Sequence, residues 1–343
     1  MTVPRDGGGA RLAGLPEYAA LRARTDAPPG SSWGLFGADD QLGTLNLLAL
    51  NDLRVAAAEV RSGEAFSLDL PLTAISHPLT PTRRPAEHHI FQRTPFQRDE
   101  WLDRFYPQYS SQLDGLRHIG HPDYGFYNGA DPERFVPGDS LLSIHQLASA
   151  PIAGRAVLLD VDRYLRAQGQ PVDQHSSRAV SAADLEATRA AQGTTVRPGD
   201  MVLIRFGWLR WYRSEASAEV LDGLRTEPVH PGLAQSHEIL GWLWDHRVSL
   251  VAGDNFALEC WPPAPGSPFY TRAEQDEGVR DPHSGIMHRA LLGLLGLPIG
   301  ELWNLDPLAD ACAADQRWSF LLTVAPLTIV GGVGSPANAI ALR

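Results

Sequence analysis

The chain has 343 residues, 43% of them hydrophobic and 20% charged, which is enough for one large core or two ordinary ones. A formal net charge of −11 argues against nucleic acid as the main partner, since phosphate binding needs a clustered basic surface. Two cysteines make no disulfide framework, and no apolar run reaches the roughly 18 residues of a membrane helix.

The Gly-rich start, 1–15, lacks the apolar stretch of a signal peptide. It reads as a disordered arm ahead of one domain, 16–343, and a cytoplasmic location is expected. Asn51 is placed to cap a helix running through Leu53, Val55, Ala58 and Val60 to Gly63. The segment 65–72 alternates like a strand. From 77 to 139 the chain is irregular and rich in Pro, Gly, Tyr and His, and a stretch this long usually wraps a site. A short apolar run at 156–161 reads as a buried strand, and Ser181 opens a helix ending near Gly193. After a turn at 197–200 come a strand at 201–206, an amphipathic helix at 233–244 and a buried strand at 248–252. A helix at 286–295 is closed by Gly296 and Pro298, and a strand at 320–330 is interrupted by Pro326. Short apolar strands alternating with helices predict an α/β fold.

Several motifs fail. The letters Gly138, Asp139, Ser140 and Leu141 match a hydrolase signature, but no partner Asp-x-x-His stands near the C-terminus. The glycines at 331–334 lack the Lys and Ser/Thr of a phosphate loop, and there is no Gly-x-Ser-x-Gly elbow.

Chemistry-bearing side chains gather in two places. One is the segment from Gln108 through Gln112 and Asp114 to His118, and the other is His288 with Glu301. Asp, His and Glu are the residue types that bind divalent cations or move protons. Each alone has an ordinary reading: His288 as a hydrogen-bonded helical histidine, Glu301 as a charge at a helix start, His118 as a loop residue fixing a turn on Asp114.

Their order and surroundings resemble a known family. The segment 108–118 is similar to the motif His-x-Gly-Thr-His-x-Asp-x-Pro-x-His, with Gln108 and Gln112 at the first two histidines and His118 at the last. Further matches are the stretches 33–46, 156–161 and 197–208, His230 to Leu233, Asp254 with Asn255, the run around Glu301, and 325–342. The family is the metal-dependent hydrolases that include bacterial kynurenine formamidase and isatin hydrolase, called the cyclase family. The resemblance covers nearly all of 33–342, and it is closest to the longer bacterial and fungal branch. It implies a swivelling β/β/α-type single domain, a homodimer or homotetramer, and hydrolysis or closure of small amides, imides and lactones. It maps metal ligands to Gln108, Gln112, Asp114, His288 and Glu301, and the catalytic histidine to His118.

Both leading histidines are glutamines here. A neutral amide oxygen is a weaker, harder ligand than imidazole, so the expected ion is Mn²⁺ or Zn²⁺, with the oxygen-rich set shifting preference from Zn²⁺ toward Mn²⁺ or Mg²⁺. A site that works without metal is the alternative. The expected mechanism has His118 as general base and then acid, with Gln112 and Asn255 donating to the oxyanion. Arg84 and His89 are candidates for a substrate carboxylate. Trp33, Phe36, Tyr124 and Phe126 are candidates for an aromatic wall, with packing as their ordinary reading. Two rival functions are a metal-independent cyclase, dehydratase or isomerase, and a small-molecule binding protein without turnover.

Overall fold

The computed structural model describes residues 12, 14–276, 278, 281 and 283–343. Most of the expected arm, 1–15, therefore lies outside the described residues, although Leu15 is buried in the core. In chain order the strands are β1 (Ala65–Ser67), β2 (Glu87–Thr94), β3 (Gln97–Asp103), β4 (Gln112–Asp114), β5 (Ile152–Asp160), β6 (Ala179–Val180) and β7 (Met201–Arg205). They continue as β8 (Gly232–Leu233), β9 (Leu250–Gly253), β10 (Ile299–Glu301), β11 (Ser319–Val324), β12 (Gly334–Ser335) and β13 (Ile340–Leu342). Nine of them form one sheet in the order β1-β13-β11-β5-β7-β9-β10-β4-β12.

The sheet is parallel in its centre, where β5, β7, β9 and β10 run side by side, and antiparallel on both flanks. The central strands are apolar on both faces because both are covered. Val157, Leu159, Val202, Ile204 and Val251 point into one core, against Leu185, Ile239, Leu243 and Leu291. Their neighbours Ala156, Leu158, Met201, Leu203, Leu250 and Ala252 point into the other, against Ile144, Leu147, Leu308 and Cys312. This is the expected α/β architecture. Both cysteines are free and buried, and among the described residues no helix is long and apolar enough to cross a membrane.

Several element boundaries differ from the sequence reading. Asp52, not Asn51, caps the short helix Leu53–Ala57, because Asn51 bridges the Arg155 backbone and the Asp200 carboxylate. β1 stops at Ser67, since the Leu70 amide turns to the Ser111 hydroxyl instead of a strand. The amphipathic helix is His237–Asp245, capped by Ser236, and Leu233 pairs with Val180 in a small two-stranded sheet. The helix expected at 286–295 is regular only over His288–Leu291. β11 ends at Val324, before Pro326, which has no N–H to continue a ladder.

The stretch 77–139 contains an unforeseen hairpin, β2–β3, whose residues are almost all exposed. Its two legs run directly into the segments carrying Arg83 and Gln108. Leu203 lies fully buried in the central strand β7. Leu203→Ala is expected to cost roughly 2–5 kcal/mol, the range for emptying a core leucine site, as read by urea denaturation.

Candidate metal centre

The strand β4 is three residues long and entirely buried. Alternation sends Gln112 and Asp114 to one face and Leu113 to the other, where it joins the second core. β4 pairs antiparallel with β10, which sets Glu301 directly opposite Gln112 and Ile299 opposite Asp114. Glu301 is thus a strand residue, not a charge at a helix start. On the other side of β4, Gly334 of β12 pairs with Asp114. A Cβ at Gly334 would come within 2.8 Å of the Gln108 side chain, so the glycine leaves the space that Gln108 fills.

His288 begins the helix that covers this face. Its Nδ1 donates to Glu259 Oε1 at 2.6 Å, and its Nε2 lies 3.0 Å from Glu301 Oε1 and 4.0 Å from Asp114 Oδ2. Glu259 also accepts the backbone N–H groups of Met287 and His288, at 2.6 and 3.0 Å. One buried carboxylate therefore fixes both the start of the helix and the orientation of the ring. The next residue, Arg289, holds the helix from the other side through two 2.8 Å bonds to Glu274.

The donor atoms of Asp114, His288 and Glu301 all lie within 4.8 Å of one another, and all three residues are buried. A second such group, Glu87, His89 and Asp103, lies on the exposed hairpin, where acidic clusters are ordinary.

The electrostatics of the buried cluster are those of crowded anions. Burial and the nearby Glu301 charge push the Asp114 carboxyl up to about 7. Burial disfavours a charged His288, but its bonds to Glu259 and Glu301 override that and hold it up at about 10. Burial likewise works against an ionised Glu301, and its bond to His288 outweighs this and lowers its pKa. A proton on His288 Nε2 is the cation that these carboxylates share. Asp114 Oδ2 is buried with no hydrogen-bond partner.

These observations fit a divalent ion. Donors to one ion at about 2.0–2.2 Å stand at most about 4.4 Å apart, and His288 Nε2 stands 3.0 Å from Glu301 Oε1 and 4.0 Å from Asp114 Oδ2. A histidine whose second nitrogen is held by a carboxylate is the usual arrangement of a metal-binding imidazole. The residues that fit are Asp114, His288 and Glu301, with Glu259 behind.

The glutamines are placed differently from simple ligands. Gln112 Nε2 donates to Glu301 Oε2 at 2.7 Å, and Gln108 Nε2 donates to Asp114 Oδ1. Both bring their amide N–H side to the carboxylates. His118 sits at the rim, its side chain 18% exposed and its Nε2 3.9 Å from Asp114 Oδ1, too far for the turn-fixing bond. Burial, with the positive charges of Arg83 and His288, holds its pKa down at about 3, so it is a neutral acceptor. Asn255 is not a free donor to an oxyanion as expected. Its amide N–H groups are committed to the carbonyls of Pro231 at 2.7 Å and Glu259 at 3.5 Å.

The remaining expected residues make their bonds and ring contacts with other parts of the chain. Trp33 donates to Gly293 O, Phe36 packs edge-on to Trp244, and Phe126 packs on Phe135. Tyr124 is exposed beside His121, His89 stacks on Trp101 within the hairpin, and Arg84 is exposed. Sequence reasoning gave no role to Glu259 or His230, and of the adjacent Arg83 and Arg84 it singled out Arg84 for the site. Glu259 gave only the signal of a lone carboxylate in an apolar run. His230, fully buried with Nε2 unpartnered, stood in a matched stretch without a role. Arg83, the neighbour of the expected Arg84, bonds Gln108 O at 2.6 Å and Gln112 Oε1 at 3.4 Å.

The putative cyclase family matches residues 73–260, and the chain belongs to that family. No curated protein matches the chain. Among solved structures, one described as a novel cyclase is 29% identical, covers 91% of this chain and 99% of its own, and superposes with a TM-score of 0.76. Isatin hydrolase A from Ralstonia solanacearum is 17% identical over 84% of this chain and 93% of its own, with a TM-score of 0.52. Isatin hydrolase A from Labrenzia aggregata, bound to benzyl benzoate, is 16% identical over 84% and 95%, with a TM-score of 0.53. At these identities the two isatin hydrolases share the fold.

Two measurements follow from this geometry. Glu259→Gln removes the charge that orients His288 and is expected to weaken Mn²⁺ binding about 10–100-fold by titration. Glu274, bonded to Arg289 and Ser284, is drawn down from 4.5 to about 2 despite the opposing effect of burial. A depressed carboxylate stabilises the fold above its unfolded pKa and loses that contribution as pH falls. Glu274→Gln should therefore lower stability at pH 7, and the gap from the parent should shrink as pH drops from about 4.5 toward 2, followed by urea denaturation.

Proposed function

We propose that the chain breaks or closes an acyl C–N or C–O bond in a small amide, imide or lactone at the Asp114, His288 and Glu301 centre. The observation that carries this reading is the convergence of those three buried donors, with His288 oriented by Glu259, in a member of the cyclase family. A divalent ion held there supplies a Lewis acid for the substrate carbonyl and makes water a better nucleophile.

The chain's own residues do the rest. Asp114, Glu301 and His288 would hold the ion, Mn²⁺ suiting two carboxylates and one imidazole well. Glu259 keeps His288 Nε2 turned toward it. His118, neutral at the rim, takes the proton as water oxygen bonds to the carbonyl carbon. It returns that proton to the departing nitrogen or oxygen as the acyl bond breaks. Ring closure is the same sequence in reverse.

One observation favours a second reading. The glutamine amides already donate to both carboxylates, and Asp114 is pushed up to about 7, where it exchanges a proton near neutrality. A metal-free cyclase, dehydratase or isomerase using Asp114 as acid and base would use the same centre.

Metal analysis of purified protein by mass spectrometry separates the two, combined with a turnover screen over small cyclic imides, anilides and lactones. The first reading expects near-stoichiometric metal, loss of turnover on chelation, and a fall of about 10²–10⁴ in kcat for His118→Ala. Full activity in His118→Ala overturns the role of His118. Turnover that survives complete chelation moves the reaction to Asp114.

A further inference from the structure

Arg83 is the one positive side chain of the irregular segment 77–86 that reaches the centre. Its backbone N–H is fixed by the Thr80 hydroxyl at 3.2 Å. Its Nη1 donates to Gln108 O at 2.6 Å and lies 3.4 Å from Gln112 Oε1. Its charge acts on Asp114, His118, His283 and Glu301. Arg84, next in the chain, is exposed.

The buried arginines of the described residues are all paired with carboxylates: Arg117 with Asp139, Arg155 with Asp200, Arg205 with Asp160, Arg247 with Glu17, Arg289 with Glu274 and Arg343 with Asp315. Among the described residues, Arg83 has no carboxylate within the 4.0 Å of an ion pair. Its guanidinium has five N–H donors, and its protein contacts engage only the Nη1 end. A half-buried guanidinium with free donors beside a reacting centre suits the oxygens of an anion. The charges point the same way. Asp114, Glu259 and Glu301 bring three negative charges, which a divalent ion and Arg83 together balance when His288 is neutral. Without Arg83 the loaded centre is negative and repels an approaching carboxylate.

We propose that Arg83 is the anion-binding residue of this site, holding a carboxylate that the substrate carries or that its broken carbonyl becomes. The inference rests on the centre being the reacting one.

The test is calorimetric titration of the purified protein with benzoate, a simple aromatic carboxylate. The parent is expected to bind it, and Arg83→Ala to bind at least tenfold more weakly. Millimolar guanidinium should restore much of the Arg83→Ala affinity, and Arg83→Lys should fall between, since an ammonium lacks the planar fork. Arg83→Gln keeps a donor for Gln108 O, so it reports the charge if the alanine variant does not fold. Asp114→Asn separates the two ideas: it should abolish turnover yet keep benzoate binding. On a turned-over substrate, Arg83→Ala raising KM alone marks a carboxylate already carried, and a lowered kcat marks one formed in the reaction. The proposal is overturned if the parent does not bind benzoate, or if folded Arg83→Ala or Arg83→Gln binds it as tightly as the parent. Turnover surviving in Asp114→Asn would instead sink the assignment of the centre.

Discussion

The centre depends on one antiparallel contact. β4 is only three residues long, and its pairing with β10 decides which side chains face each other. A slip of one residue would turn Leu113 toward His288 and put Gln112 and Asp114 into the apolar core on the other face. The register is held by Leu113 in that core, by Trp303 donating to Gln112 O at 2.9 Å, and by the Ser111 hydroxyl bonding Leu302 O at 2.6 Å. Packing on one face of the sheet thus fixes the chemistry on the other.

Three carboxylates meet in a space from which water is largely excluded. Their crowding would be costly if each stood alone. Glu259 satisfies its oxygens with two backbone N–H groups and an imidazole, Glu301 shares a proton with His288, and Gln108 and Gln112 bring amide N–H groups to the remaining oxygens. Only Asp114 Oδ2 is left over. The glutamines have two chemical faces. Their N–H side stabilises the carboxylates, and their oxygen side is the one a cation would need.

Much of the fold was legible because the central strands are apolar runs flanked by clear turn and cap residues. Ser181, for instance, forms a complete capping box with Asp184. The centre was legible through Asp114, His118, His288 and Glu301, whose order resembles a family motif. What was hidden depends on side-chain direction. The β2–β3 hairpin is exposed on both faces, so it carries no alternation of apolar and polar residues to announce it. Arg83 and Arg84 are indistinguishable in an irregular segment, where no period assigns a face. Asn51 looks like a helix cap until Arg155 and Asp200 arrive from other parts of the chain to claim its amide. Glu259 gains its importance from His288, a partner that only the folded chain brings near.

The place of β4 in the sheet also bears on the time course of folding. Its two neighbours, β10 and β12, follow it in sequence by nearly the whole remaining chain. The strand carrying Gln112 and Asp114 therefore has no sheet partner except through residues 299–301 and 334–335, far along the chain. Contacts of such long sequence separation form slowly, because loop-closure entropy is lost before the contacts can compensate for it. The acidic centre is consequently incomplete in a chain still being made until residue 301 has been added, since Gln112 and Asp114 stand without His288 and Glu301 before then.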